Sequence, residues 1–180
     1  MRADAVRNRQ RILAAARAAF AEEGPAVSLD DVARRAGVGP GTVHRHFPTK
    51  DALFAAVIAD RLQELTTLAG ELAGAPDAGE AFYAFFHRLA AEAAQNLALS
   101  AALTETTRLG EPIHEAGAAL ESAIATLLTR AQSAGAVRPD LTTTELHAVI
   151  AGALVMEQRL PESSKGRGLA LVADGLAHRR

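Results

Sequence analysis

Cysteine and tryptophan are absent from this chain of 180 residues, and tyrosine occurs once. Without thiols there is no disulfide framework and no cysteine-based metal site, a pattern at home in a reducing compartment. Aromatic residues make up 4% of the chain. Sheets draw on aromatic and β-branched side chains, so their scarcity beside abundant Ala and Leu points to helices. Long apolar runs are missing too. The longest near the end, LHAVIAGALVM, has 11 residues and includes His147, whereas a bilayer-spanning helix needs about 20. The start, MRADAVRNRQ, is charged, and Arg17 interrupts the apolar stretch behind it, which is not the pattern of a signal peptide. The expectation is a cytoplasmic protein with no membrane partner.

Net charge is small as well, −2, but it divides unevenly. Residues 1–50 hold nine Arg/Lys against five Asp/Glu, and the remainder holds ten against sixteen. A basic head on an acidic body suggests that the first 50 residues meet a polyanion, with chance clustering on a solvated surface as the alternative.

Apolar spacing predicts helices throughout and no strand. Residues 7–23 place Ile12, Ala16, Ala19 and Phe20 on one face, and Gly24-Pro25 stops them. In VSLDDVARRAG, Ser28 is placed to cap a short helix with Asp31 as its capping-box acid, and Val27 and Val32 have the spacing of a hydrophobic staple. Gly37 ends that helix. Gly39 and Pro40 then suit the N-cap and first position of another, running over 40–46. Under two turns long, it cannot be stable alone. Val43 and Phe47 anchor it, while Thr42, Arg45 and His46 are expected to face outward with His44 near the edge. Thr49 caps a long helix over 50–73. Further helices are expected at EAFYAFFHRLAAEAA, 97–109, 112–134, 142–160 (opened by a Thr142/Glu145 capping box) and 164–178.

Two short helices joined by a glycine turn, the second displaying polar groups, form a helix-turn-helix or a plain helical corner. In the first case the second helix enters the DNA major groove with its N-terminal residues toward the base edges. Gly39 and Gly41 then leave no side chain to keep the backbone from the duplex.

The run SLDDVARRAGVGPGTVHRHFPTKDALF resembles the DNA-binding domain of the tetracycline-repressor (TetR-like) family of bacterial transcriptional regulators. The likeness spans about residues 9–58, with AGV, GT, HF, the following Lys and the downstream Leu in place. It implies an all-α subunit: an N-terminal three-helix DNA-binding head, then a helical body that dimerises and usually binds a small effector. The head is set at 1–50 and the body at 51–180, with the helix over 50–73 shared as connector. Carried over by the resemblance, Ser28, Thr42, His44 and Lys50 contact phosphates, and Pro40, Gly41, Arg45 and His46 lie at the groove. Many members have Ser where Gly39 stands, and Tyr, whose hydroxyl meets a phosphate, where His44 stands.

Enzyme readings find little footing. GVGPGT follows a helix rather than a strand and lacks the dinucleotide-loop spacing. His114-Glu115 begins like a zinc motif, but position 118 is Ala. No metal ligands and no cofactor are expected. Phe82, Phe86, Leu103 and Met156 are candidates for an effector pocket, with ordinary core as the alternative. His87, Asn96, Thr104 and His147 are candidate polar groups there. Ala148, Gly152, Val155, Leu169 and Ala173 are candidates for the dimer interface, built from the last two helices of each subunit. The expected function is a homodimeric repressor of a near-palindromic double-stranded operator, released by a small molecule. The alternatives are an activator, a ligand-independent regulator or, remotely, a carrier or enzyme on the same fold.

Overall fold

A computed structural model of the chain describes residues 2–23, 26–95, 111–164 and 166–177. Among them are α1 (Arg2–Glu23), α2 (Leu29–Ala36), α3 (Pro40–His46), α4 (Lys50–Ala73), α5 (Ala78–Gln95), α6 (Glu111–Ser133), α7 (Thr143–Arg159) and α8 (Arg167–Leu176), with a 3-10 turn at Glu162–Ser164. The all-α expectation holds. No helix among the described residues is long and apolar enough to cross a membrane. The helix expected over 97–109 lies outside the described residues, as do Asn96, Leu103 and Thr104.

The chain divides into two compact units, Met1–Asp60 and Arg61–Arg180, so the division falls inside α4. The first unit has a continuous core. Ile12, Leu13, Ala16 and Ala19 of α1 meet Val27, Val32, Ala33 and Ala36 around α2, then Val43 and Phe47, then Leu53 and Val57 of α4. Phe20 stands edge-on to Phe54, ring centroids 5.4 Å apart. The staple partners Val27 and Val32 are both buried.

In the second unit α5 is the hub, packing against α6, α7 and α8. Its Phe82, Phe85, Phe86 and Leu89 are buried together with Leu120, Leu127 and Leu128 of α6 and Leu146 and Leu154 of α7. The Thr142/Glu145 capping box forms with both of its bonds. A longer-range device closes α4, where Arg130 of α6 donates to the carbonyls of Ala73 and Ala75. A cation at a helix C-terminus satisfies orphan carbonyls and suits the macrodipole.

α8 begins at Gly166, which has no side-chain cap. Glu157 of α7 supplies one instead: its carboxylate accepts from the backbone N–H of Gly166 at 2.7 Å and of Leu169 at 3.1 Å. Glu157 is 1% exposed, so removing it leaves the buried Leu169 N–H without an acceptor, while the part-buried N–H of the exposed Gly166 can turn to water. A buried unsatisfied donor costs about 1–3 kcal/mol. Glu157→Ala is therefore expected to lower the unfolding free energy by about 1–3 kcal/mol and Glu157→Gln by less, measured by urea denaturation. A loss under about 0.5 kcal/mol in the Ala variant contradicts this capping role.

Candidate nucleic-acid interface

The turn between α2 and α3 is fixed from both sides. Gly37 takes φ 61°, and its N–H and that of Val38 return to carbonyls of α2. That left-handed conformation costs other residues about 1–2 kcal/mol. From α1, Arg11 donates to the Gly37 carbonyl at 3.1 Å. Gly39 then starts α3 with no side-chain cap, and Pro40 follows at the first position. Val43 and Phe47 are 0% and 4% exposed, so α3 is anchored by one buried residue on its face and one at its end.

What α3 displays differs from the expectation at Thr42, which is half-buried rather than outward, and at the two histidines. His44 and Arg45 are exposed, whereas His46 is half-buried against the Phe47 ring, centroids 6.2 Å apart. The two histidines thus exchange places: His44 is outward and His46 is at the edge. In a helix anchored at Val43, position 46 is three residues on and lies back toward the core. Arg45 folds along its own helix, with Nε donating to the Gly41 carbonyl at 3.0 Å. Thr42 is half-buried, and Lys50 is half-buried at the start of α4. Thr49 caps α4 through the Ala52 N–H at 3.1 Å.

Gly41 is the informative position. A Cβ placed there meets nothing within 4 Å, its own helix backbone and chain neighbours aside. Glycine in a helix costs roughly 0.5–1 kcal/mol relative to alanine. Nothing in the described part of the chain requires this one.

Ser28 caps α2, accepting from the Asp31 N–H at 3.1 Å. The acid accepts from the Ser28 hydroxyl at 2.6 Å and from Arg34 at 2.6 Å. These two donors, the hydroxyl first, hold the Asp31 carboxyl below its ordinary value of 3.8. Two residues of this surface had no signal in the motif. Arg11 holds the turn, and Arg9 sets its guanidinium 5.7 Å from the centroid of the Phe47 ring. Their only trace in the sequence is position, since Arg9 precedes Ile12 by three residues and Leu13 by four, on the inward stripe of α1.

Residues 12–57 match the family described as bacterial regulatory proteins, tetR family, and residues 77–178 match that of the SbtR-like transcriptional regulator C-terminal domain. A TetR transcription regulatory protein from Mycobacterium vanbaalenii is 41% identical with TM-score 0.74, the match covering 98% of each chain. This chain belongs to the TetR family of bacterial transcriptional regulators. A second family structure, from Streptomyces coelicolor, is 34% identical with TM-score 0.74, covering 96% of this chain and 99% of that one. An HTH-type transcriptional repressor of Mycobacterium tuberculosis is 50% identical over 58 residues, which are 32% of this chain and 31% of that protein. The first curated relatives are matched over only 31–54% of their own length, with 37% for the Staphylococcus aureus regulator.

In the body of this TetR-family regulator, the other candidate residues scatter. Phe82 and Phe86 are buried core, each 3% exposed, whereas Met156 is 37% exposed and lies over Gly168. A cleft of about 440 Å³ is lined by Arg61, Glu64, Leu65, Leu68, Leu72, Ala84 and Arg88, none of them expected. Ala148, Gly152 and Val155 share the exposed face of α7, but Leu169 and Ala173 turn inward, each 8% exposed. The outward apolar residue of α8 is Leu171, 66% exposed. The periodic stripe of α8 was legible, but it serves the chain's own core.

The Asp31 pairing has a consequence for the head. A depressed carboxyl contributes stability above its ordinary titration range and loses it as pH falls through the lowered value. Asp31→Asn is therefore expected to destabilise the protein at neutral pH and to match the wild type at strongly acidic pH. Denaturation curves across pH check this; a wild-type advantage that persists unchanged in acid would count against the pairing.

Proposed function

We propose that this chain is a dimeric repressor, acting in the cytoplasm, whose two heads dock in the major groove of a near-palindromic operator and are released by a small molecule bound in the body. The observation that carries the groove assignment is Gly41, a helix glycine with open space around it. A glycine kept against helix propensity, where no described part of the chain needs it, fits a surface that another molecule approaches closely. The N-terminal turn of α3, Pro40 and Gly41, then lies nearest the base edges. Thr42, His44 and Lys50 meet phosphates. Ser28 does so once its hydroxyl turns from Asp31. Arg45 keeps both terminal nitrogens for a guanine edge while Nε stays on Gly41, and His46 lines the groove beside it.

Gly41→Ala separates folding from binding. The variant is expected to be as stable as the wild type or more stable, by up to about 1 kcal/mol, yet to bind all duplexes more weakly. Arg45→Ala is expected to change which sequences are preferred, because base contacts carry the information. Duplex titrations with both variants test this; unchanged affinity and preference in both sinks the groove assignment.

Repression is supported by the M. tuberculosis relative, which is named a repressor and is half identical over its matched 58 residues. Dimerisation is supported by the apolar surface of the last two helices, Val155, Met156 and Leu171, beside Ala148 and Gly152. Two half-sites one turn apart, about 34–36 Å, need two symmetric heads. Release is supported by the cleft, where Leu65, Leu68 and Leu72 of α4 form much of the lining. The first turn of that same helix carries Lys50. An effector that favours another setting of α4 lowers operator affinity, and operator lowers effector affinity by the same factor. A Cβ on Gly152 meets nothing within 4 Å, so Gly152→Arg leaves the subunit intact. It is expected to sediment as a monomer and to lose specific binding. A folded Gly152→Arg dimer refutes this interface, and ligands that stabilise the body without weakening operator binding refute release.

A further inference from the structure

Phe47 closes α3 and is covered from α1 by Arg9, whose guanidinium stands 5.7 Å from the ring centroid. Arg9 itself is exposed. Other arginines of the head are committed to carboxylates: Arg7 to Asp4, Arg17 to Asp60, Arg34 to Asp31, and Arg35 to Glu22 and Glu23. Arg11 is bound to the Gly37 carbonyl. Arg9 differs, because a ring face holds a guanidinium without using its N–H groups. Among the described residues it has no carboxylate partner.

Its position makes the choice of residue pointed. Ile12 and Leu13, three and four residues on, are buried, so Arg9 sits on the inward stripe of α1, where it shields Phe47. Hydrocarbon alone would cover that ring. Arginine adds a charge with a free donor fork at the C-terminal end of α3, where His46 stands against the same ring. Lys50 follows Phe47 by three residues. This end is opposite the N-terminal turn that approaches base edges, and the duplex element flanking a groove is its phosphate backbone. A planar fork of N–H donors suits a phosphate's oxygens.

We propose that Arg9 is a DNA-phosphate contact contributed by α1, held ready by the Phe47 ring. It lies upstream of residues 12–57, the span matched to the family's DNA-binding domain. The inference rests on the reading of the head as a groove binder and adds a contact from outside the two helices of the motif.

The test is binding of a mixed-sequence DNA duplex by the full chain across salt concentration, with melting temperature measured alongside. Arg9→Met keeps hydrocarbon over Phe47 and removes the charge. It is expected to melt like the wild type and to reduce the slope of log affinity against log salt by about 0.9 for each docked head, the share of one phosphate. Its deficit relative to wild type then shrinks about 3.5-fold per docked head between about 50 and 200 mM salt. Arg9→Lys is expected to retain the slope. Arg7→Gln, a loss of equal charge from the same helix, is expected to leave it unchanged. A wild-type slope in Arg9→Met overturns the inference whatever its melting temperature, and so do equal slope losses in the Arg7 and Arg9 variants. A wild-type chain that fails to bind the duplex at low salt overturns the groove reading and the inference together.

Discussion

A seven-residue helix cannot sustain itself in water, and the head of this protein depends on holding one in place. Starting a helix costs about 4 kcal/mol before propagation returns anything. Burial of Val43 and Phe47, at about 1.5–3 kcal/mol each, is of the same size. The remaining order comes from the ends: Gly37 in the left-handed region, Arg11 on its carbonyl, Pro40 at the first position and Arg9 over Phe47. The outward side chains inherit their geometry from these inward ones. A recognition surface this small is only as definite as the core beneath it.

The ends of the longer helices follow a related division. Caps made within a few residues were legible, since Ser28, Thr49 and Thr142 each accept from a backbone N–H three residues on. Caps made across the fold were not. Arg130 reaches the carbonyls of Ala73 and Ala75, and Glu157 reaches the start of α8. In sequence these are an arginine near the end of one apolar helix and a glutamate late in another. Nothing local marks them, because their partners are 55–57 and 9–12 residues away. The first turns of α1 were missed for a similar reason, since a charged start carries no apolar period.

In the site itself, periodicity found the anchors but misjudged the edge. Val43 and Phe47 followed from their spacing, yet spacing gave His44 and His46 each other's exposure. Half a helical turn separates an outward residue from one that leans on a neighbouring ring, and only the packed position of Phe47 decides between them. The body was legible as a helical layout and as a supply of apolar residues. Which of those residues serve the core and which the surface depends on packing partners far away in sequence, as the inward Leu169 and the outward Leu171 illustrate.

The two glycines flanking this corner answer to different constraints. Gly37 is required by the chain, since its φ of 61° and its closeness to Arg11 hold whether or not a partner is present. Gly41 is free of any such demand. Gene duplication would pull the two apart. A descendant copy that kept its fold but no longer met a duplex would retain the first glycine and drift at the second, where alanine makes the better helix. An alanine appearing there while Gly37 persists would be a mark of abandoned DNA binding, readable before any other residue of the head had changed.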